Sequence, residues 1–210
     1  MKGLIFDLDG VITDTAEYHY LSWKKLADDE GLIFTREDNE ALRGLPRRAS
    51  LELVLKGATR PEAEIEAMMT RKNAYYLDYV NQITPEALLE GVHDFLKIAR
   101  EMGFKLGLGS ASKNARLVCE RMGILGLFDV IGDGYSVVNA KPAPDLFVWV
   151  AGGLGLPPQA CIVFEDAEAG VDGALAGGFY AVGIGPAERV GKAHRLIDGL
   201  HAVHPKEFAG

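Results

Sequence analysis

The chain opens on an apolar run, Gly3-Leu4-Ile5-Phe6, that stops abruptly at Asp7-Leu8-Asp9-Gly10. A short, continuous apolar stretch ending in polar residues and glycine predicts a buried strand followed by a loop. The period then changes. Tyr18, Leu21, Trp23, Leu26 and Ala27 recur at helical spacing and stop at Gly31. Thr35 with Asp38 has the form of a capping box and predicts a second helix. Residues 47–56 predict a third. Pro61 sits where the first turn of a fourth would want it, and that helix runs to about Asn81. No strand is expected between 15 and 85.

Beyond Pro85 the two periods alternate. Helices are predicted over 92–102 (stopped by Gly103), 112–122 (stopped by Gly123), 145–154 and 169–176. Strands are predicted over 104–109, 128–131, 161–164 and 180–184. From about Leu196 the pattern fits a short helix or a short strand. This alternation implies an α/β fold, a doubly wound, Rossmann-like parallel sheet with helices on both faces. An all-helical insert interrupts it after the first strand. The expected division is a core of 1–14 and 85–210 and a helical unit of 15–84.

Composition narrows the options. The chain has 210 residues, 48% of them apolar, enough for a buried core and unlike a disordered segment. Its net charge of −8 argues against broad nucleic-acid binding, which needs a basic footprint. An anionic substrate must therefore be held by a few local Lys and Arg. No stretch is long and apolar enough to span a membrane, and the N-terminus lacks a leader-like apolar region. A cytoplasmic monomer is the expectation. Cys119 and Cys161 lie in apolar runs as core residues, with no metal or disulfide spacing around them.

In an open α/β sheet, ligands bind beyond the carboxyl ends of the strands. Four such ends carry chemistry here: Asp7 and Asp9; Ser110-Ala111-Ser112-Lys113-Asn114; Lys141-Pro142; and Glu165-Asp166. Each has an ordinary use when taken singly, as a turn, a helix cap or a solvated loop. Together they supply carboxylates, an ammonium group, hydroxyls and a helix start. That set suits phosphoryl transfer. A carboxylate attacks phosphorus only when charge on both partners is neutralised, which a hard cation on Asp7 and Asp166 would do. Lys141 adds a point charge, and the Ser110-Ala111 amides and the helix start at Ser112 add donors. Asp7 and Asp9, two apart on extended chain, face one phosphate as nucleophile and proton carrier.

The order Asp7-Leu8-Asp9-Gly10-Val11, Ser110, Lys141 and Glu165-Asp166 resembles the haloacid dehalogenase superfamily along essentially the whole chain. The resemblance implies a helical cap after the first strand, Asp7 as nucleophile and Asp9 as general acid/base. It implies Mg²⁺ on the Asp7 side chain, the Asp9 carbonyl and Asp166, with Glu165 in or near the shell. Ser110, Ala111 and Lys141 would bind the transferring phosphate. The segments from Asp9 to His19, Ser110 to Asn114, Arg71-Lys72-Asn73 and Lys141 to Asp145 are similar to the β-phosphoglucomutase branch. That likeness implies exchange between β-glucose 1-phosphate and glucose 6-phosphate through β-glucose 1,6-bisphosphate. A second anion grip follows, from Arg47 on the cap and Ser112, Lys113 and Asn114 on the core. His19, Trp23, Gly44, Ser50 and Lys72 are the cap candidates near the sugar. Ala167 departs from the hydroxyl residue that relatives often carry there, and Pro46 precedes Arg47. A sugar-phosphate phosphatase shares every core group but needs no distal grip; a non-enzymatic sugar-phosphate sensor would not need the carboxylates.

Overall fold

The computed structural model describes residues 2–210. Its strands are β1 (Gly3–Phe6), β2 (Lys105–Gly109), β3 (Val130–Gly132), β4 (Cys161–Glu165), β5 (Tyr180–Ile184) and β6 (Arg195–Ile197). They form one parallel sheet in the order β3-β2-β1-β4-β5-β6. β1 and β4 are buried along their whole length. Continuous apolar runs are what a parallel sheet covered on both faces requires.

Alternate residues of β1 feed two cores. Phe6 joins Phe95, Leu108, Phe128 and Phe164 on one face. Its ring stacks on Phe164 at 4.9 Å, and Phe95 and Phe208 meet Phe164 edge-on. Ile5 joins Phe147, Val150, Val163 and Ala181 on the other. Each such side chain stabilises the fold by roughly 1.5–3 kcal/mol on burial. Cys119 and Cys161 are free and buried, one in each core.

Between β1 and β2 run α1 (Ala16–Asp29), α2 (Arg36–Glu40), α3 (Arg47–Val54), α4 (Glu62–Val80) and α5 (Val92–Glu101). α1, α3 and α4, with the loops either side of α2, enclose an apolar centre of their own, built on Trp23, Leu26, Phe34, Leu51, Ile65 and Met68. The capping box at Thr35 and Asp38 is formed. The far end of α4 instead joins the sheet's core through Tyr76 and Val80. The two chain crossings into this helical layer lie side by side. Leu89 N–H donates to the Ile12 carbonyl at 3.0 Å, and the Thr13 hydroxyl to the Ala87 carbonyl at 2.7 Å.

The remaining helices are α6 (Ala115–Arg121), α7 (Asp145–Gly153), α8 (Glu168–Ala176) and α9 (Ala187–Val190). Two expectations need correction. The helix read from Ser112 begins at Ala115, because the Ser112 hydroxyl accepts the Asn114 N–H at 3.2 Å and closes a turn first. The strand read from 128 pairs only from Val130. Asp129 spends its carboxylate and its N–H on the backbone of Leu106, at 2.8 Å each, before the ladder starts. The short element expected from about Leu196 is the edge strand β6, and α9 before it is too short to show a period. No helix among the described residues is long and apolar enough to cross a membrane.

Candidate active site

β1 lies where the strand order reverses, the place where an open α/β sheet leaves a crevice. Phe6 is in register with Leu108 on β2 and with Phe164 on β4. The next residues, Asp7, Gly109-Ser110 and Glu165, therefore emerge together. Asp7 is buried. One of its oxygens accepts from the Lys141 ammonium at 2.6 Å and the other from the Asp9 N–H at 3.1 Å. Lys141 also donates to Glu165 at 2.5 Å, and the second Glu165 oxygen takes the Ala167 N–H at 2.8 Å. The Lys141 side chain has no exposed surface. Burial works against its charge, but Asp7 and then Glu165 outweigh it and hold its pKa above the usual lysine value.

Asp166 faces two arginines that the sequence pattern did not single out. Arg43, before the α3 loop, donates to its carboxylate at 3.1 Å. Arg189 of α9 donates to its backbone carbonyl at 2.6 Å. Burial, then Asp7, pushes the Asp166 carboxyl upward, against Arg43 and Arg189. Burial likewise raises Glu165, against Lys141. Two glycines make room. Gly10 has φ +78°, and a Cβ there would overlap the Asp166 carboxylate. A Cβ on Gly170 would run into the Glu165 carboxylate. A Cβ added at Gly44 would lie 3.2 Å from the Ala167 methyl, so the helical layer comes close to the loop after β4 here.

Oxygens of Asp7, Glu165 and Asp166 all lie within 4.8 Å of one another. An all-carboxylate donor set suits a hard divalent cation such as Mg²⁺. Both oxygens of Asp7 and both of Glu165 already accept a hydrogen bond within the protein, whereas Asp166 keeps Oδ1 without one among the described residues. Asp9 bonds the Thr15 hydroxyl, which in turn accepts from the Tyr76 hydroxyl at 3.3 Å. Its pKa is pushed up to about 7, first by loss of water and then by Asp7, with the Thr15 bond opposing. A carboxyl poised there can both accept and return a proton at neutral pH.

The loop after β2 departs in detail from its reading. The Ser110 N–H is used by the Gly132 carbonyl at 3.1 Å, so it is not a ligand donor. The Ala111 N–H has no acceptor among the described residues, and it lines the crevice with Ser110, Ser112 and Lys113. Gly134 N–H ties this loop to the next through the Ser112 carbonyl at 3.2 Å. The Lys113 ammonium lies 4.8 Å from the centre of the exposed Tyr135 ring. Lys141 and Glu165 sit beneath the crevice wall and Asn114 beside it.

The facing wall comes from the helical layer and includes His19, Trp23, Gly44, Arg47, Ser50 and Lys72. Trp23 serves both the wall and the layer's own apolar centre. The Lys72 ammonium nitrogen lies 2.8 Å from His19 Nδ1 and over the rings of Trp23 and Tyr76, at 4.9 and 4.8 Å. Burial, then Arg47, lowers the Lys72 pKa; burial, then Lys72, lowers that of His19. The neutral imidazole thus accepts from Lys72. Arg47 donates to Asn73 Oδ1 at 2.7 Å, and burial lowers its pKa. Neither Arg47 nor Lys72 has a carboxylate partner among the described residues. Arg43, Arg189, Thr15 and Asn73 are the groups a reading of the chain alone misses. Asn73 left a trace as the third residue of Arg71-Lys72-Asn73, and Thr15 as part of the Asp9 to His19 segment.

The model of the haloacid dehalogenase-like hydrolase matches residues 1–178. The chain belongs to that family. Within the haloacid dehalogenase-like hydrolases, a β-phosphoglucomutase of Bacillus subtilis is 42% identical over 189 residues, covering 88% of this chain and 84% of that protein. The crystal structure of a β-phosphoglucomutase from Clostridium difficile superposes with a TM-score of 0.96 at 38% identity, covering 100% of this chain and 96% of the other. The fructose-1-phosphate phosphatase YqaB of Escherichia coli is 30% identical over 186 residues, covering 87% of this chain and 95% of that protein. Both mutases and phosphatases of the family thus share this scaffold over nearly its full length.

Proposed function

We propose that this enzyme is a β-phosphoglucomutase, carrying a phosphoryl group on Asp7 and exchanging it between the 1- and 6-oxygens of β-glucose phosphates. One observation carries the choice over a phosphatase. On the wall opposite Asp7, Lys72 is buried and Arg47 half-buried, and neither has a carboxylate partner among the described residues. Buried cationic groups left unpaired are costly unless an anion completes them. A phosphatase of small substrates needs one anion grip, at Asp7; a mutase handling a bisphosphate needs two.

In this reading the 6-hydroxyl oxygen of β-glucose 1-phosphate attacks the phosphorus carried on Asp7. Asp9 takes the hydroxyl proton, and the bond from phosphorus to the Asp7 oxygen breaks, freeing the carboxylate. The bisphosphate turns round. Asp7 then attacks the 1-phosphate, the sugar oxygen leaves with the proton from Asp9, and glucose 6-phosphate departs. Lys141 neutralises Asp7 and the incoming phosphate, with Glu165 fixing the ammonium in place. When bound by Asp7 and Asp166, with the Asp9 carbonyl and Glu165 in or near the shell, Mg²⁺ supplies positive charge that lets two anions approach. Residues 15–84 act as a cap that closes over the sugar and keeps water from the aspartyl-phosphate. Their separate apolar centre and the paired crossings at Thr13 and Leu88 support that motion.

The test is a paired assay with Mg²⁺, β-glucose 1-phosphate and a trace of β-glucose 1,6-bisphosphate. Glucose 6-phosphate and free phosphate are read in parallel, with Asp7→Asn as the control. Rapid glucose 6-phosphate with little free phosphate, both abolished in the control, is expected. Free phosphate alone would make the enzyme a phosphatase.

A further inference from the structure

Asn73 sits on α4 between two groups that belong to different layers. Its Oδ1 accepts from Arg47 Nη2 at 2.7 Å and from Asn114 Nδ2 at 2.9 Å. The assignment of that oxygen follows from chemistry, because a guanidinium can only donate. Both lone pairs are then in use, one on each side of the seam between the helical layer and the loop after β2. Asn114 stands at the N-cap of α6, yet its side chain caps nothing and reaches across to Asn73 instead. The Asn73 amide N–H₂ has no acceptor among the described residues.

From this geometry we infer that Asn73 is a positioning residue for the distal phosphate, setting Arg47 and Asn114 at a common height across the seam. The inference rests on the mutase reading above and extends it to a residue with no role there. Two donors gathered on one neutral oxygen keep their remaining N–H groups for an anion. A carboxylate in the same position would form an ion pair with Arg47 and repel the phosphate. Asparagine offers the acceptor without the charge, and its free amide adds two donors of its own.

The experiment compares wild-type enzyme with Asn73→Ala and Asn73→Asp, using two phosphoryl donors. β-Glucose 1,6-bisphosphate needs the distal grip. Acetyl phosphate carries one phosphoryl group and leaves the distal end empty. With the bisphosphate, the concentration for half-maximal rate should rise about tenfold for Asn73→Ala and more for Asn73→Asp, the scale of a lost hydrogen bond to a charged group. With acetyl phosphate, formation of the Asp7 phospho-enzyme, followed by intact mass, should stay within about twofold. Equal losses with both donors would mean a merely structural role and overturn the inference, as would no loss with either. Wild-type protein that converts the bisphosphate only to free phosphate would remove the mutase reading itself, a failure seen before any variant is made.

Discussion

The two walls of the crevice both bury cationic groups and treat them in opposite ways. At the carboxyl edge of the sheet, Lys141 is bonded to Asp7 and Glu165, and Arg43 and Arg189 attend Asp166. On the helical wall, Arg47 and Lys72 rest on an amide oxygen and an imidazole nitrogen. A buried cation with carboxylates around it is part of the folded state, and removing it strands the acids. One with only neutral partners is held in shape with its remaining N–H donors free for an anion. The same residue type therefore has different work on the two walls, and substitutions at each should separate stability from ligand affinity.

The largest effect falls on the sheet's edge. Lys141→Ala leaves Asp7 and Glu165 facing each other without a cation. Urea unfolding should show a loss of about 3–5 kcal/mol. Glucose 6-phosphate formation should vanish even at temperatures where the variant remains folded. A loss below about 1 kcal/mol would mean that the two walls do not differ in this respect.

The contrast also sorts what the chain revealed in advance from what it did not. Asp7 and Glu165-Asp166 were legible because each follows an apolar run, and the parallel register then brings those strand ends together; Lys141 was legible only as Lys-Pro in the loop before the helix at Asp145. The helical insert was legible from its period and from Gly31, Thr35 and Pro61. Arg43 and Arg189 were not, since their partner lies far away in sequence and an arginine near a loop carries no local signature. The start of α6 was misread by three residues because Ser112 has two uses for its hydroxyl, as cap or as turn, and tertiary contact with Gly134 favours the turn. β6 was left open between helix and strand because three residues, Arg195–Ile197, are below the length at which alternation can be seen.

On the helical wall the expectation reverses. Arg47→Ala removes a side chain whose only hydrogen-bond partner among the described residues is Asn73. Stability should change by less than about 1 kcal/mol. The β-glucose 1,6-bisphosphate concentration for half-maximal rate should rise by about 10–100-fold, as expected for a lost charge-assisted contact to phosphate. A destabilisation matching that of Lys141→Ala, with no change in the bisphosphate requirement, would erase the distinction between the walls.

The smallest and most diagnostic effect is a pH slope. Lys72 packs against His19 on α1, Arg47 on α3 and Tyr76 on its own helix, with Asp9 across the crevice. Burial, then Arg47, holds its folded pKa well below the usual lysine value; Asp9 opposes them. Between that lowered pKa and about 10.4, the unfolded chain binds a proton at Lys72 that the folded chain does not. Stability must therefore rise with pH in this window, by about 1.4 kcal/mol per unit at most. Lys72→Met removes the contribution, so the gap between the two proteins should shift in favour of wild type as pH rises toward about 10.4, most visibly between about pH 8 and 9.5. Over that range His19 is neutral in both states, while the unfolded Tyr76 hydroxyl begins to ionise near about pH 9.5 and the folded one, pushed upward by burial, does not; that slope is common to both proteins and leaves their gap unchanged. Guanidinium unfolding at both pH values, run side by side, measures it. Parallel curves would show that Lys72 keeps its charge when folded. The helical wall would then be stabilising a cation by means other than a carboxylate, and the argument for an anion completing it would fail at its foundation.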